Sequence, residues 1–384
     1  MYAGLGAFSY TSEIFRTVGG NGLSGDRVLE ERLNMLTRRK FLELGISISV
    51  FSGLGVLPKE TFAYKPSSPA GGEDLLAIRV NGKCGFIDRK GKVVIAPRFK
   101  FVDDFSEGLA PVELAGKWGF IDRFGTMVIP NIYDFACGFA FNRAGVEIKE
   151  KWGVVDMTGN MVISPRFKDC ISYFEGLASV RETEDYGYID VDGHWVISPK
   201  FNKGIDWYPK AAYGFREGMA KIRTQGQVGF IDRTGEYVIP LRVGDASSFV
   251  EGIAVVHGVG GSYFIDRTGN PIFRDLRFKE ISLFSEGLAA VNRNGSWGFI
   301  DRNGDYIIPE QSEWSGPTFF SEGLAGVQFH DGNQGYIDKS GKIVIPSRGW
   351  TWACSFRKGI AMVSVGNAYG YINKSGEYIW EPTR

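Results

Sequence analysis

Glutamates that recur at one position are the first residues in this chain of 384 that could do chemistry. They lie in Glu-Gly-Leu-Ala or a close variant of it. A glycosidase needs two carboxylates that face one sugar bond, whereas a residue that returns with a repeat has a structural role in most units. We therefore expect these side chains to form hydrogen bonds between repeats. The glutamates are Glu107, Glu175, Glu217, Glu251, Glu286 and Glu322.

Aspartates recur in a second pattern, Asp-x-x-Gly, which raises the question of calcium binding. An EF-hand-like loop needs alternating oxygen ligands and a distal glutamate, but the residues between Asp and Gly are here mostly Arg, Lys, Thr or Asn. Capping of a tight turn explains the pattern better. The aspartates are Asp88, Asp122, Asp156, Asp190, Asp232, Asp266, Asp301 and Asp338, with Asn373 in a ninth copy.

Histidines and cysteines show no spacing typical of a zinc site. His194, His257 and His330 lie in different repeats, and we expect each to be a surface residue. Cys137 and Cys170 occupy similar loop regions of consecutive repeats and could pair after export, but connectivity cannot be read from a sequence. We predict no catalytic residue, no cofactor and no metal.

The elements that position these residues are hairpins. In Gly116 to Pro130 an apolar run ends at Asp122, a turn follows, and a second apolar run stops at the proline. An aspartate that caps the turn and a glycine three residues later fit a type I turn with a G1 bulge. The segment therefore predicts two paired strands.

This hairpin recurs at nearly constant intervals of 34, 34, 34, 42, 34, 35, 37 and 35 residues. Each Glu-Gly-Leu-Ala leads into a further apolar run, such as Leu177 to Val180, which predicts a third strand. The chain is therefore expected to be all-β, a tandem array of about nine three-stranded antiparallel repeats.

Three tripeptides, Lys117-Trp118-Gly119, Lys151-Trp152-Gly153 and Ser296-Trp297-Gly298, carry a resemblance to a known family. Each precedes an apolar pair and Asp, and together with the flanking Glu-Gly-Leu-Ala they resemble the WG (KWG) repeat of bacterial proteins over residues 76 to 382. The resemblance implies a binding scaffold rather than catalysis. Other residues replace the tryptophan at Cys84, Tyr186, Val228, Ser262, Gln334 and Tyr369.

Packing between repeats is predicted from the same motif. We expect the tryptophans to be buried between sheets, and the glycine beside each to let the next sheet approach. Adjacent apolar residues such as Val93-Val94-Ile95 predict that both faces of the second strand of the hairpin are covered. An open β-solenoid-like superhelix is favoured over the alternative, a closed propeller-like ring, because propeller blades usually have four strands and rings four to eight blades.

The N-terminal part does not belong to the array. Residues 1–34 are expected to be a disordered extension. Alternatively, translation starts at Met35, immediately before the next segment, and residues 1–34 result from a wrongly assigned start codon. Residues 35–63 contain Arg38-Arg39 and an uncharged apolar run, which resembles a twin-arginine export signal; an amphipathic first helix is the alternative. Residues 64–74 are typical of a linker, and residues 75–384 form the repeat domain.

The charge of the chain and its predicted location restrict the classes of partner that we expect. Lys and Arg number 44, as do Asp and Glu, so the chain lacks the basic balance of a nucleic-acid binder. Twin-arginine-type export would place the protein in the periplasm or outside the cell, with membrane contact only through the signal segment.

The function expected from these patterns is that of a non-catalytic, exported binding or scaffold module for a protein or a cell-wall glycan. A cell-wall-acting enzyme and a purely structural assembly element are the alternatives. Aromatic residues in the irregular loops could stack on sugars or anchor a peptide, or could simply pack. These candidate ligand-binding residues are Trp207, Tyr208, Tyr213, Trp314, Trp350 and Trp352.

Overall fold

A computed structural model describes residues 75–202, 212–258, 260–273 and 278–383. The described residues form strands and turns, and none of them belongs to a helix that could span a membrane. The predicted signal segment and linker lie outside the described residues.

Nine small sheets follow one another along the chain, and each is an antiparallel meander whose strands pair in sequence order. Sheet 1 consists of β1 (Leu76–Val80), β2 (Lys83–Ile87) and β3 (Val93–Phe99). Sheet 2 consists of β4 (Phe101–Val102), β5 (Ala110–Leu114), β6 (Lys117–Ile121) and β7 (Met127–Tyr133). Sheet 3 consists of β8 (Phe135–Ala136), β9 (Arg143–Ile148), β10 (Lys151–Asp156) and β11 (Met161–Phe167).

The middle sheets include two that have three strands. Sheet 4 consists of β12 (Tyr173–Phe174), β13 (Leu177–Val180), β14 (Asp185–Ile189) and β15 (Trp195–Asn202). Sheet 5 consists of β16 (Ala220–Thr224), β17 (Gln227–Ile231) and β18 (Tyr237–Val243). Sheet 6 consists of β19 (Asp245–Ala246), β20 (Ala254–Gly258) and β21 (Gly261–Ile265).

The last three sheets have four strands each. Sheet 7 consists of β22 (Glu280–Ile281), β23 (Ala289–Asn292), β24 (Trp297–Ile300) and β25 (Tyr306–Gln311). Sheet 8 consists of β26 (Trp314–Ser315), β27 (Leu324–Phe329), β28 (Gln334–Asp338) and β29 (Ile343–Ile345). Sheet 9 consists of β30 (Trp352–Ala353), β31 (Ile360–Val365), β32 (Ala368–Asn373) and β33 (Tyr378–Thr383).

The predicted three-stranded unit is confirmed, but most sheets gain a short fourth strand. In sheet 2 this strand is β4, where Phe101 pairs with Glu113 and Val102 with Val112. It lies in the segment that the sequence predicts to be a connecting loop. A run of two paired residues is too short to produce a periodic hydrophobic pattern.

The turn of each hairpin has the predicted geometry. The carboxylate of Asp122 accepts hydrogen bonds from the amides of Phe124 at 2.9 Å and Thr126 at 2.8 Å. Gly125 has a φ of 84° and donates to the carbonyl of Asp122 at 3.0 Å. The aspartate is therefore a turn cap, as the motif predicts.

The tryptophan of the Trp-Gly pair packs in the core, and the glycine is required by a contact within its own sheet. Trp118 and Trp152 are buried as predicted, whereas Trp297 is only half-buried and packs on the edge of a hydrophobic cluster. A Cβ on Gly119 would lie 2.6 Å from the carbonyl oxygen of Ile129 and 2.6 Å from the amide nitrogen of Asn131. Because both atoms belong to β7, the glycine makes room for the bulge in the last strand of its own sheet, and the expectation that it admits the next sheet is wrong.

The last strand of each sheet is a half-exposed edge, which corrects the expectation that both its faces are covered. Val93 and Val94 are 41% and 42% exposed, whereas Ile95 is buried. Ile95 faces the next sheet, where a Cβ on Gly125 would lie 3.1 Å from its Cγ2. Only one residue of the apolar run is therefore part of the core.

Aromatic pairs join consecutive sheets. The aromatic residue after each Trp-Gly packs against the phenylalanine that begins the Phe-Ser-Glu-Gly motif of the next sheet, with ring centroids about 5 Å apart, as edge-to-face or tilted pairs. These pairs are Phe86–Phe105, Phe120–Phe139, Tyr188–Phe215, Phe230–Phe249, Phe264–Phe284, Phe299–Phe320 and Tyr336–Phe356.

The nine sheets form a closed, propeller-like ring, because sheet 9 contacts sheet 1. The hydroxyl of Tyr371 donates to the carbonyl of Ala77 at 2.7 Å, and the guanidinium of Arg89 donates to the carbonyl of Lys358. A Cβ on Gly91 would lie 2.3 Å from the carbonyl oxygen of Ile379. The alternative ring is thus confirmed and the favoured open superhelix is wrong, since the rotation between sheets adds up to a full turn.

Candidate functional site

The recurring glutamates join neighbouring sheets, as predicted. The carboxylate of Glu251 in sheet 6 accepts from the amides of Glu286 at 2.8 Å and Gly287 at 3.3 Å, and from Arg302 at 2.6 Å, all three in sheet 7. We call this arrangement the glutamate clamp. Glu107, Glu175, Glu217, Glu286 and Glu322 make equivalent bonds to the amides of the next sheet.

The clamp also shows that two sets of turns lie at one end of the sheets. Glu251 stands in the turn between the first two strands of its sheet, and Arg302 stands in the Asp-x-x-Gly turn of the next. In an antiparallel meander, the first and third turns are at the same end. We call this the turn end of the ring.

The aspartates at the turn end are held by their own turns. The hydroxyl of Thr158 donates to Asp156 at 2.7 Å and lowers the pKa of this carboxyl to about 2, although slight desolvation opposes the shift. Within the described ranges, no three His, Cys, Asp or Glu side chains are grouped so that they could hold a metal ion.

Sheet 3 interrupts the glutamate clamp. Phe141 occupies the glutamate position there and is 40% exposed. Arg143 replaces the following leucine; it donates to the carbonyl of Val191 at 2.8 Å and to the carboxylate of Asp192 at 3.0 Å. The junction between sheets 3 and 4 is thus held at this point by an arginine.

Apolar residues replace polar ones at the turn end of sheets 2 to 4. Phe124 is 88% exposed at a position that is Lys, Thr, Asp, Asn or Ser in the other eight turns. Met157 and Val191 occupy the position that is Arg or Lys in the other turns, and both are half-buried. With Phe141 they form what we call the apolar sector, defined by Phe124, Phe141, Met157 and Val191.

The members of the apolar sector lie on connected elements. Met157 packs on the hydrophobic cluster shared by sheets 2 and 3. Phe141 donates its amide to Glu107 of sheet 2 at 2.9 Å, and Arg143, two residues further on, binds Val191 of sheet 4. Phe124 and Phe141 are the two members exposed to solvent, at the turn end of neighbouring sheets, and large exposed apolar patches are typical of an interaction site.

A group of buried charges lies between sheets 5 and 6. Lys221 is fully buried, donates to the carbonyl of Ala246 at 3.0 Å and lies 4.0 Å from the carboxylate of Asp245. Burial lowers the pKa of Lys221 to about 7, against the opposing effect of Asp245. Arg223 binds the same carboxylate at 2.8 Å.

The predicted ligand-binding aromatics occupy several environments. Trp314 and Trp350 are 3% and 0% exposed and belong to hydrophobic clusters, so neither presents a ring face to solvent. Trp352 is half-buried, as is Tyr213, whose ring lies under the ammonium group of Lys221 at 4.1 Å. Trp207 and Tyr208 lie outside the described residues, and a binding role of this set stays a prediction.

The predicted surface histidines differ in exposure. His194 and His330 are exposed, and His194 lies 3.3 Å from the carboxylate of Asp190. His257 is half-buried and pairs with the hydroxyl of Ser262 at 2.8 Å, so the prediction of a surface residue is wrong there. A cavity of about 20 Å³ next to it, lined by Arg242 and Asp245 among others, has room for about one water molecule.

Sequence reasoning missed the apolar sector. The signal is present in the sequence: Phe124 stands among polar residues in the nine Asp-x-x-Gly turns, and Phe141 stands where six other turns have glutamate and one has Lys358. The tryptophans and tyrosines of the enlarged loops are the more conspicuous departures from the repeat. Two of those tryptophans proved to be part of the core.

Comparison with known proteins gives one family match and several structural ones. A family model described as "WG containing repeat" matches residues 85–118, 118–152, 152–184, 186–227, 229–257, 264–297, 297–333 and 335–367. No curated protein matches the chain in sequence.

Among solved structures, the crystal structure of "the eukaryotic initiation factor" has a TM-score of 0.54 and 11% identity, over 82% of this chain and 98% of that one. The computationally designed Ika8 protein has a TM-score of 0.46 and 12% identity, over 79% of this chain and 100% of that one. BamB from Moraxella catarrhalis has a TM-score of 0.40 and 12% identity, over 80% of this chain and 98% of that one. At such identities, the similarity to the initiation factor shows the fold alone.

Proposed function

The chain belongs to the family of WG-containing repeats, and from this we propose that it is a non-catalytic binding or scaffold module that engages a protein partner through the apolar sector. A repeat array offers one large surface, and departures from the repeat adapt it to a ligand. Within the apolar sector, Phe124 and Phe141 place aromatic rings in solvent.

The charged residues of the repeat support a non-catalytic role. In the glutamate clamp, the carboxylates accept from backbone amides of the next sheet, and lysines or arginines bind several of them. A carboxylate held in this way has a structural reason for its position, whereas catalysis needs acids or a nucleophile directed at one substrate atom.

The observation that carries the proposal is the exposure of Phe124 and Phe141. Both rings stand in solvent at positions where the other repeats have mostly polar side chains. Burial of an exposed aromatic ring at an interface contributes about 25 cal/mol for each Å² removed from water, and aromatic residues are common hot spots. These rings favour an apolar protein surface over a glycan as the ligand.

The test uses two substitutions that restore the repeat. Phe124→Thr and Phe141→Glu introduce residues that stand at the same positions in other turns. The full chain and the double variant are immobilised, exposed to envelope proteins and to cell-wall glycan, and the bound material is compared. We expect proteins bound by the wild type to be lost from the double variant.

A matched control separates binding from folding. Val344→Thr removes an apolar side chain of 41% exposure from the last strand of sheet 8, away from the apolar sector. This control should retain the partners, and the double variant should melt no lower than the wild type because Phe141→Glu restores a glutamate clamp. Identical capture by all three proteins would refute the proposal, and capture of glycan alone would favour the other ligand class.

Export is part of the same proposal. Residues 35–63 carry Arg38-Arg39 before an uncharged apolar run, which is typical of a twin-arginine signal. We propose a periplasmic or extracellular location on this basis. Replacement of both arginines by lysine should retain the protein inside the cell, and unchanged fractionation would contradict the proposal.

A further inference from the structure

Two cysteines from neighbouring sheets meet at the junction between sheets 3 and 4. Cys137 follows β8 and Cys170 precedes β12, and their Sγ atoms lie 2.6 Å apart. Both side chains are half-buried. A disulfide has an Sγ–Sγ distance of about 2.05 Å, so roughly half an ångström of movement would bring the two atoms to bonding distance.

The backbone around the thiols holds the two sheets close together. The amide of Cys137 donates to the carbonyl of Gly145 at 2.9 Å. A Cβ on Gly145 would lie 2.4 Å from the carbonyl oxygen of Ile171, the residue after Cys170. The glycine thus permits an approach that any side chain would prevent, and the proximity of the sulfurs follows from packing of the main chain.

This junction is also the one where Phe141 interrupts the glutamate clamp. Glu107 on one side and Glu175 on the other bind the amides of their next sheets, and sheet 3 has no carboxylate at that position. A covalent link here would join two sheets that lack the bond used by their neighbours.

We propose that Cys137 and Cys170 form a disulfide that cross-links sheets 3 and 4 in the mature protein. One thiolate attacks the disulfide of a donor, either a small molecule or a protein, and forms a mixed disulfide with loss of one donor thiolate. The thiolate of the other cysteine then attacks the sulfur of the first cysteine in this mixed disulfide, forms the Cys137–Cys170 bond and releases the second donor thiolate. The two electrons pass to the donor, which leaves as two thiols, so the step balances.

The remaining cysteines provide an internal reference. Burial raises the pKa of the Cys84 thiol and raises the pKa of Cys354 to about 11. Thiols of raised pKa are poor nucleophiles at neutral pH. These two residues should therefore stay reduced under conditions that oxidise the pair.

The test uses the full chain, oxidised glutathione as the donor, and peptide mapping without reduction. After oxidation, alkylation and digestion, the peptides that contain Cys137 and Cys170 should appear as one species, two hydrogens lighter than their sum. Cys84 and Cys354 should be alkylated once the protein is unfolded. Recovery of the first two residues as separately alkylated peptides would overturn the proposal.

Thermal melting provides a second measurement that does not depend on mapping. The oxidised wild type should melt a few degrees above the reduced wild type, because the cross-link restricts the unfolded chain. The double variant C137S/C170S should melt at one temperature under both conditions, whereas C84S should keep the shift. A shift that persists in C137S/C170S would assign the effect to other residues and refute the cross-link.

Discussion

A single side chain decides how each junction of the ring is held. Where the first turn has a glutamate, its carboxylate reaches the amides of the next sheet, as Glu286 does with Gly323 at 3.1 Å. Where the same position has Phe141, the ring points into solvent and Arg143 makes the contact instead. The repeat therefore uses one position both for stability and for a candidate binding surface.

Replacement of Glu286 by Gln should weaken one junction. The carboxylate binds two amides and Lys339 at 3.1 Å, and these bonds lower the pKa of Glu286 although partial burial alone would raise it. We expect the free energy of unfolding to fall by about 1 to 2 kcal/mol, as measured by urea denaturation. Glu236→Gln, at a side chain 81% exposed, is the control and should change little. Equal losses in the two variants would contradict the clamp.

The stability of the protein should depend on pH because Lys221 is buried. Burial lowers its pKa from 10.5 to about 7 in the folded state. Between these values the unfolded chain binds a proton that the folded chain does not, so the protein becomes more stable as the pH rises from 7 to 10.5. Below pH 7 both states bind the proton, and the contribution of the lysine no longer changes with pH.

The variant Lys221→Met should therefore be more stable than the wild type below pH 7, and the difference should shrink toward pH 10. Urea denaturation across this range measures it. The variant Lys151→Met, at an exposed lysine, is the control for the loss of a lysine outside the core. A difference for Lys221→Met that does not change with pH would show that burial does not lower the pKa of Lys221.

At the scale of the element, the hairpin is the unit that the residues specify most strongly. Asp122 caps the turn. Gly119 has no side chain, so the bulged part of β7 can lie close to its backbone. Register shifts occur at this bulge, where Trp118 pairs with Tyr133 but Phe120 pairs with Ile129. Along β7, Ile129 and Tyr133 are buried, whereas Val128 and Ile132 are exposed.

The substitution Gly119→Ala should be strongly destabilising. The new Cβ would lie 2.6 Å from two backbone atoms of β7, which no side-chain movement can relieve. We expect a loss of about 2 to 3 kcal/mol in the free energy of unfolding. Gly138→Ala is the matched control, because the nearest atom to its Cβ would be 3.9 Å away. If both variants denature at the same urea concentration, the proposed role of the bulge is wrong.

For the whole molecule, closure of the ring depends on contacts of the same kind as those between internal sheets. Tyr371 donates to sheet 1 at 2.7 Å, as Tyr336 donates to Cys354 of sheet 9 at 2.7 Å. Arg89 reaches the carbonyl of Lys358, where Arg302 reaches that of Glu251 at 3.2 Å. The first and last sheets thus meet as neighbours do, although they are almost 300 residues apart.

The variants Tyr371→Phe and Tyr336→Phe test this equivalence. Each loses one buried hydrogen bond between sheets, and we expect each to lower the free energy of unfolding by about 1 kcal/mol. Hydrogen exchange should quicken at β1 in Tyr371→Phe and at sheet 9 in Tyr336→Phe. If only Tyr336→Phe has an effect, the ring is open in solution.

The candidate site was only partly predictable. The roles of the recurring Glu251 and Asp122 follow from their repetition, and the structure confirms them. The fate of the irregular aromatics does not follow, because Trp350 and Phe124 are both large apolar residues in loops. One is fully buried and the other is 88% exposed, and only the position of the neighbouring sheet makes the difference.

The sequence by itself determined the all-β class, the number of units, their turns and the family, because these depend on interactions within about 35 residues and recur nine times. The tertiary structure alone decided that the array closes into a ring, that a short extra strand pairs in most sheets, and that Cys137 lies next to Cys170. Those features depend on the angle and offset between sheets. Many weak contacts set that geometry together, and no single motif encodes it.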